Sequence, residues 1–137
     1  RRIVSASPDG RTVIRCSDDV NNLVRADLVD QEQEHLKVVL LNTRNHVMGV
    51  RPVYVGNVHS AIVRVSEVLR DAVRENCPNI ILVHNHPSGD PSPSPDDVAM
   101  TKQVLEAGRM LNIDVLDHVV VARGGYVSLK ERGLAFV

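Results

Sequence analysis

Residues 79–84 read NIILVH, and this stretch does most to limit what the chain can fold into. Side chains of an extended segment alternate between two faces, so the consecutive aliphatics Ile80, Ile81, Leu82 and Val83 put apolar surface on both. Such a strand needs cover on both sides, which an open sheet with one wet face does not provide. Neighbouring patterns supply that cover. Upstream, Val65, Val68, Leu69, Ala72 and Val73 recur at helical spacing in residues 66–76, with Ser66 predicted as the N-cap and Pro78 as the stop. Downstream, Val98, Thr101, Val104, Leu105 and Gly108 mark one face of a second helix. Strands alternating with helices around a sheet predict an α/β sandwich.

The remaining segments extend the same architecture. HLKVVLLNT (35–43) is short, β-branched and closed by polar turn residues, as a buried strand would be. After a turn at residues 43–45, HVMGVRPVYVGNVHSAIV predicts a second extended segment, antiparallel to the first. Pro52 lacks a ladder donor, so an edge position or a bulge is expected there. IDVLDHVVVA (113–122) is another strand, Gly124 and Gly125 a tight turn, and YVSLKE (126–131) a last short strand. Near the start, SPDG (7–10) reads as a turn, while Val20, Leu23, Val24 and Leu28 fall at helical spacing. Residues 1–30 are therefore set apart as an N-terminal extension or linker with a short helix, and residues 31–137 as the main domain. The abrupt start suggests one domain of a longer protein.

Composition narrows the function classes. With only Tyr54, Tyr126 and Phe136 as aromatics, the core must be aliphatic, and platforms for stacking nucleic-acid bases are scarce. A net charge of −1 gives no field to gather nucleic acid or anionic membrane. No apolar stretch approaches bilayer-spanning length, and the Arg1-Arg2 start lacks a following apolar signal region. Cys16 and Cys77 fit no paired metal or redox motif, which points to a reducing, cytoplasmic setting.

The chemistry gathers in HNHPSGDPSPSPDD (84–97). On a strand, His84 and His86 share one face and Asn85 takes the other. Two imidazoles make half of a tetrahedral zinc site, and Asp97 is a candidate third ligand. H-x-H alone is a weak signal. The local reading of the same residues is a helix start, with Ser94 as N-cap, Pro95 at the first helical position and Asp97 closing a capping box. The two uses are compatible, because a fixed helix start holds Asp97 in place. The prolines at 87, 91, 93 and 95 stiffen the loop between.

H-x-H-P, then Ser94 eight residues after His86 and Asp97 three later, resembles the zinc motif of the JAB/MPN (JAMM) metalloprotease superfamily. The longer string HNHPSGDPSPSPDDVAMTKQVLEAGRMLNIDVLDHVVV is similar to its bacterial RadC branch, historically labelled DNA repair proteins. The likeness extends upstream through EHLKVVLLNTRN and VYVGNVHSAIVRVSEVLRDAVREN, covering about residues 30–133. It implies a mixed β-sheet sandwiched by α-helices, related in architecture to cytidine deaminases. By resemblance His84, His86 and Asp97 hold one Zn²⁺ and Glu34 is the general base, with Glu32 the fallback. Ser94 donates to the oxyanion, a role in tension with capping. His118 matches a recurring Leu-Asp-His string; the expectation is a hydrogen-bonded core histidine, with a ligand or a partner of a ligand as the alternative, and Asp117 is treated alike. Asn85 and Ser88 are candidates to orient the loop through backbone hydrogen bonds. His59 and Ser60 are assigned to a loop, and Arg51 and Arg64 to solvated surface.

The resemblance implies a zinc-dependent hydrolase of peptide or isopeptide bonds, acting on a peptide or protein substrate. A non-catalytic zinc-binding scaffold and a DNA repair or recombination module are the alternatives. Direct DNA binding by this segment is disfavoured by the missing basic stripe. RadC proteins carry a helix-hairpin-helix-like N-terminal region beyond the resembling stretch. A zinc deaminase is excluded, because that class needs H-x-E followed by P-C-x-x-C.

Overall fold

The computed structural model describes residues 10–58 and 61–136. Most of the SPDG turn, together with His59 and Ser60, lies outside the described residues. Among the described residues, three helices and five strands follow in the order α1 (Ser17–Leu28), β1 (His35–Leu41), β2 (Val47–Val55), α2 (Val65–Arg74), β3 (Asn79–Asn85), α3 (Pro95–Met110), β4 (Asp114–Ala122) and β5 (Gly125–Ser128). The strands form one mixed sheet in the order β2-β1-β3-β4-β5. Only β3 and β4 run parallel, with α3 as the crossover between them.

The NIILV run is the middle of this sheet and is covered on both faces, as its composition requires. On one face Ile80 and Leu82 pack with Leu36, Val38 and Leu40 beneath α2 and α3. On the other, Ile81 and Val83 pack with Val39, Leu41, Val119 and Val121 beneath Val20, Val24 and Leu28 of α1. Pro52 satisfies both parts of its expectation. It lies on the edge strand β2, opposite Lys37, where the register with β1 skips Val53. No helix among the described residues is long and apolar enough to cross a membrane.

Several local expectations change. Ser66 is not the cap of α2: the helix begins at Val65, with Arg64 as an N-cap whose side chain makes no capping bond. Burial of Val63 and packing of Val65 against the core hold this helix start instead. Its other end comes before Pro78, where Asn76 takes a left-handed φ of 56°. The last strand stops at Ser128 because Asp117 captures the Ser128 hydroxyl at 2.7 Å and the Lys130 N–H at 3.2 Å, bending the chain into a turn. On α3 the buried residues are Asp97, Met100, Thr101, Val104 and Gly108, so Val98 falls at the rim.

Candidate metal centre

The site forms where the C-terminal end of β3 meets the start of α3. Alternation along β3 sends His84 to the α2–α3 face, continuing the line of Ile80 and Leu82, and Asn85 to the α1 face. The capping box predicted for α3 is present. Ser94 Oγ accepts from the Asp97 N–H at 3.0 Å, and the Asp97 carboxylate accepts from the Ser94 N–H at 2.8 Å. This exchange aims Asp97 inward, where it is only 2% exposed.

His84 Nε2 lies 3.0 Å from His86 Nε2 and 3.4 Å from Asp97 Oδ1, while His86 Nε2 lies 3.1 Å from Asp97 Oδ2. Donors this close repel unless a cation, either a proton or a metal ion, lies among them. A tetrahedral ion with ligands at roughly 2.0–2.1 Å separates neighbouring donors by about 3.3 Å, so the triangle suits such an ion. Glu34 Oε1 stands further out, 4.0 Å from His84 Nε2. Glu34, His84 and His86 also form a group whose ligand atoms all lie within 4.8 Å of one another, able to hold a metal ion. The buried donors are thus His84 and Asp97; His86 is half-buried, and Glu34 is the most exposed of the four.

Electrostatics follow from this crowding. Burial disfavours the charged form of Asp97, but hydrogen bonds with His84 and His86 hold its carboxyl far below the usual carboxylate range. For His86, burial pulls the imidazole down; contacts with Asp97 and the Asp90 carbonyl outweigh it and raise its pKa. The Asp90 carbonyl, 3.0 Å from Nδ1, can only accept, so His86 carries a proton on Nδ1 and turns Nε2 to the site.

The profile of the RadC-like JAB domain family matches residues 14–134. The chain belongs to this family. It is 47% identical over 137 residues to a UPF0758 protein of Roseiflexus castenholzii (strain DSM 13941 / HLO8), covering 100% of this chain and 59% of the relative. A UPF0758 protein of Chloroflexus aggregans (strain MD-66 / DSM 9485) is 47% identical over 136 residues, with 99% and 59% covered. One from Desulforamulus reducens (strain ATCC BAA-1160 / DSM 100696 / MI-1) is 42% identical over 134 residues, with 98% and 59% covered. The chain therefore spans 59% of the length of these relatives.

In this RadC-like JAB domain Glu34 is held by its backbone. Asn85 Oδ1 accepts from the His35 N–H at 2.7 Å, and its amide donates to the carbonyls of Gln33 at 3.0 Å and Gln31 at 3.4 Å. The Glu34 carbonyl itself accepts from Gly56 N–H at 2.9 Å. Asn85 thus braces the upstream segment rather than its own loop. Glu32 sits in a bend before the strand and is exposed, outside the cluster. Ser88 is also exposed; its hydroxyl meets the Asp90 N–H at 3.4 Å and stays in the loop. The loop leans on the β4–β5 turn, where the Gly124 N–H donates to the Gly89 carbonyl at 2.9 Å. A Cβ at Gly124 would come within 2.7 Å of that carbonyl oxygen, so only glycine permits the contact.

A cleft of about 370 Å³ opens beside the donors, lined by Glu34, Asn57, Val58, His86 and Ser94 among others. Asn57 and Val58 fell within the predicted second extended segment, but β2 ends at Val55 and both lie in irregular chain beyond it; nothing in the sequence marked them as cleft lining. Thr101 was assigned to the apolar stripe of α3, yet it is fully buried with its hydroxyl 2.6 Å from His118 Nδ1. A polar residue in an apolar stripe was the available signal. His118 is fully buried too, and its Nε2 lies 2.7 Å from His84 Nδ1. Burial pushes its pKa well below the ordinary histidine value. Arg51 is paired with Glu75 at 2.7 Å, and Arg64 is exposed.

Proposed function

We propose that this RadC-like JAB domain is a zinc-dependent hydrolase of peptide or isopeptide bonds. The observation that carries this reading is the 3.0–3.4 Å triangle of His84, His86 and Asp97 with the Glu34 carboxylate 4.0 Å from His84, beside an open cleft. His84, His86 and Asp97 would hold Zn²⁺ through two neutral imidazoles and a carboxylate. When bound, the ion supplies Lewis acidity and lowers the pKa of a water to about 7.

The chain's own groups do the rest. Glu34, with 24% of its side chain exposed, can accept a proton from an attacking water and return it to the leaving amine. Asn85 and Gly56 hold its backbone still for that exchange. Ser94 caps α3 with an oxygen lone pair, which leaves the hydroxyl proton for the oxyanion, so capping and donation do not compete. A peptide or protein substrate fits an open cleft better than an enclosed small-molecule cavity would. The free Cys16 and Cys77 suit a cytoplasmic setting.

The test combines metal analysis with peptide and isopeptide substrate profiling of wild type and Glu34→Gln. Wild type should carry one zinc per chain, and the variant should keep that zinc while its turnover falls by about 10²–10⁴. Turnover unchanged in the variant would remove Glu34 as the base. Full zinc without turnover on any substrate would make the domain a scaffold. A DNA-associated role has the net charge of −1 against it. A salt-sensitive shift of duplex or branched DNA by this chain would revive it.

A further inference from the structure

Behind the triangle, four polar side chains are each at most 2% exposed: His84, Asp97, Thr101 and His118. Their contacts form a single line whose proton positions can be read from one end to the other. It starts at the backbone carbonyl of Asp97, which can only accept. Thr101 Oγ1 lies 2.7 Å from that oxygen and must donate to it, committing its one proton. Thr101 Oγ1 is also 2.6 Å from His118 Nδ1; with its proton spent it accepts, so Nδ1 carries the hydrogen. His118 is completely buried, and among the described residues its ring nitrogens bond only to Thr101 and His84, so no carboxylate takes a hydrogen bond from the ring and burial disfavours a second ring proton. A singly protonated ring leaves Nε2 bare, and it accepts from His84 Nδ1 at 2.7 Å. His84 is then protonated on Nδ1, and its Nε2 lone pair faces His86 and Asp97.

We propose that Thr101 and His118 are positioning residues that set the tautomer of His84, turning its free lone pair toward the metal. The line begins at the backbone of one donor, Asp97, and ends on the ring of another, so the start of α3 and the end of β3 are adjusted together. Were His118 doubly protonated, or its single proton on Nε2, the bond to His84 would reverse. The His84 hydrogen would then sit on Nε2 and block the site. The consequence for metal binding rests on the zinc reading above; the tautomer itself does not.

Long-range ¹H–¹⁵N correlation of histidine-labelled, metal-free protein reads the tautomer directly, and competition with a chromophoric chelator reads the affinity for Zn²⁺. Wild type should show His84 protonated on Nδ1. Thr101→Val removes the acceptor, so His84 should become a mixture of tautomers and zinc affinity should drop by about 10–100-fold. Thr101→Ser should restore both readouts, and Thr101→Ala should repeat the loss should the extra methyl disturb packing. His84 protonated on Nε2 in wild type, or a wild-type pattern in Thr101→Val on either readout, overturns the proposal. If wild type binds no zinc, the zinc reading fails, and the tautomer of His84 still decides whether this relay exists.

Discussion

The two faces of the sheet are built alike along most of their length and diverge only at one end. Beneath α1, Val39, Leu41, Ile81, Val83, Val119 and Val121 are closed over by Val20, Val24 and Leu28. Beneath α2 and α3, Leu36, Val38, Leu40, Ile80 and Leu82 make an equally apolar floor. At the end of β3 the first face ends in Asn85, whose amide is spent on the backbone of residues 31, 33 and 35. The second face turns polar and stays buried, with His84, His118, Thr101 and Asp97 in continuous contact. Burying four polar groups costs several kcal/mol unless each finds a partner, and here every one does. One face therefore packs apolar surface up to Asn85, which braces the segment carrying Glu34. The other gives up apolar packing at its end to gather the candidate metal donors.

Substitutions on the two faces should separate these roles. The largest effect belongs to the polar end: His84→Ala or Asp97→Ala should abolish zinc binding, measured as metal content after purification without chelator. Either variant with a full zinc complement would end the ligand assignment. On the α1 face, Leu28→Ala removes a side chain with 0% exposure and should cost about 2–5 kcal/mol in denaturant unfolding. That variant should still bind one zinc per chain. Loss of zinc at unchanged stability would break the division between the faces. Asn85→Ala tests where the faces communicate. Leaving the backbone groups around Glu34 without a partner should cost about 1–3 kcal/mol. Turnover should fall more than zinc content, because the Asn85 amide hydrogen-bonds the backbone on either side of Glu34 and, among the described residues, no side chain of His84, His86 or Asp97.

Legibility followed the distance over which each feature is determined. The α3 start was readable because Ser94 and Asp97 are three residues apart and bond to each other's backbone. The shared face of His84 and His86 was readable because a strand alternates. Glu34 was reached only by resemblance, since the contact that places it comes from Asn85, 50 residues away along the chain from His35. Ser66 was a sound local cap, yet tertiary packing of Val63 and Val65 moved the helix start upstream, leaving Ser66 inside the first turn.

His118 marks the boundary most clearly. Strict alternation along β4 from Val115, which packs beneath α2 and α3, would point Asp117 at the site and His118 at α1. The register between β3 and β4 skips Leu116, which packs on the α1 face, so Asp117 pairs with Ile81 and His118 with Leu82. That single bulge turns His118 toward Thr101 and His84. From residues 79–97 alone, the sequence determined a covered central strand, a histidine pair on one face and a capped helix presenting Asp97, because alternation and capping act within a few residues. Tertiary structure decided the brace on Glu34 and the line from Asp97 through Thr101 and His118 to His84. Those depend on how separate strands register, and a local pattern does not carry register.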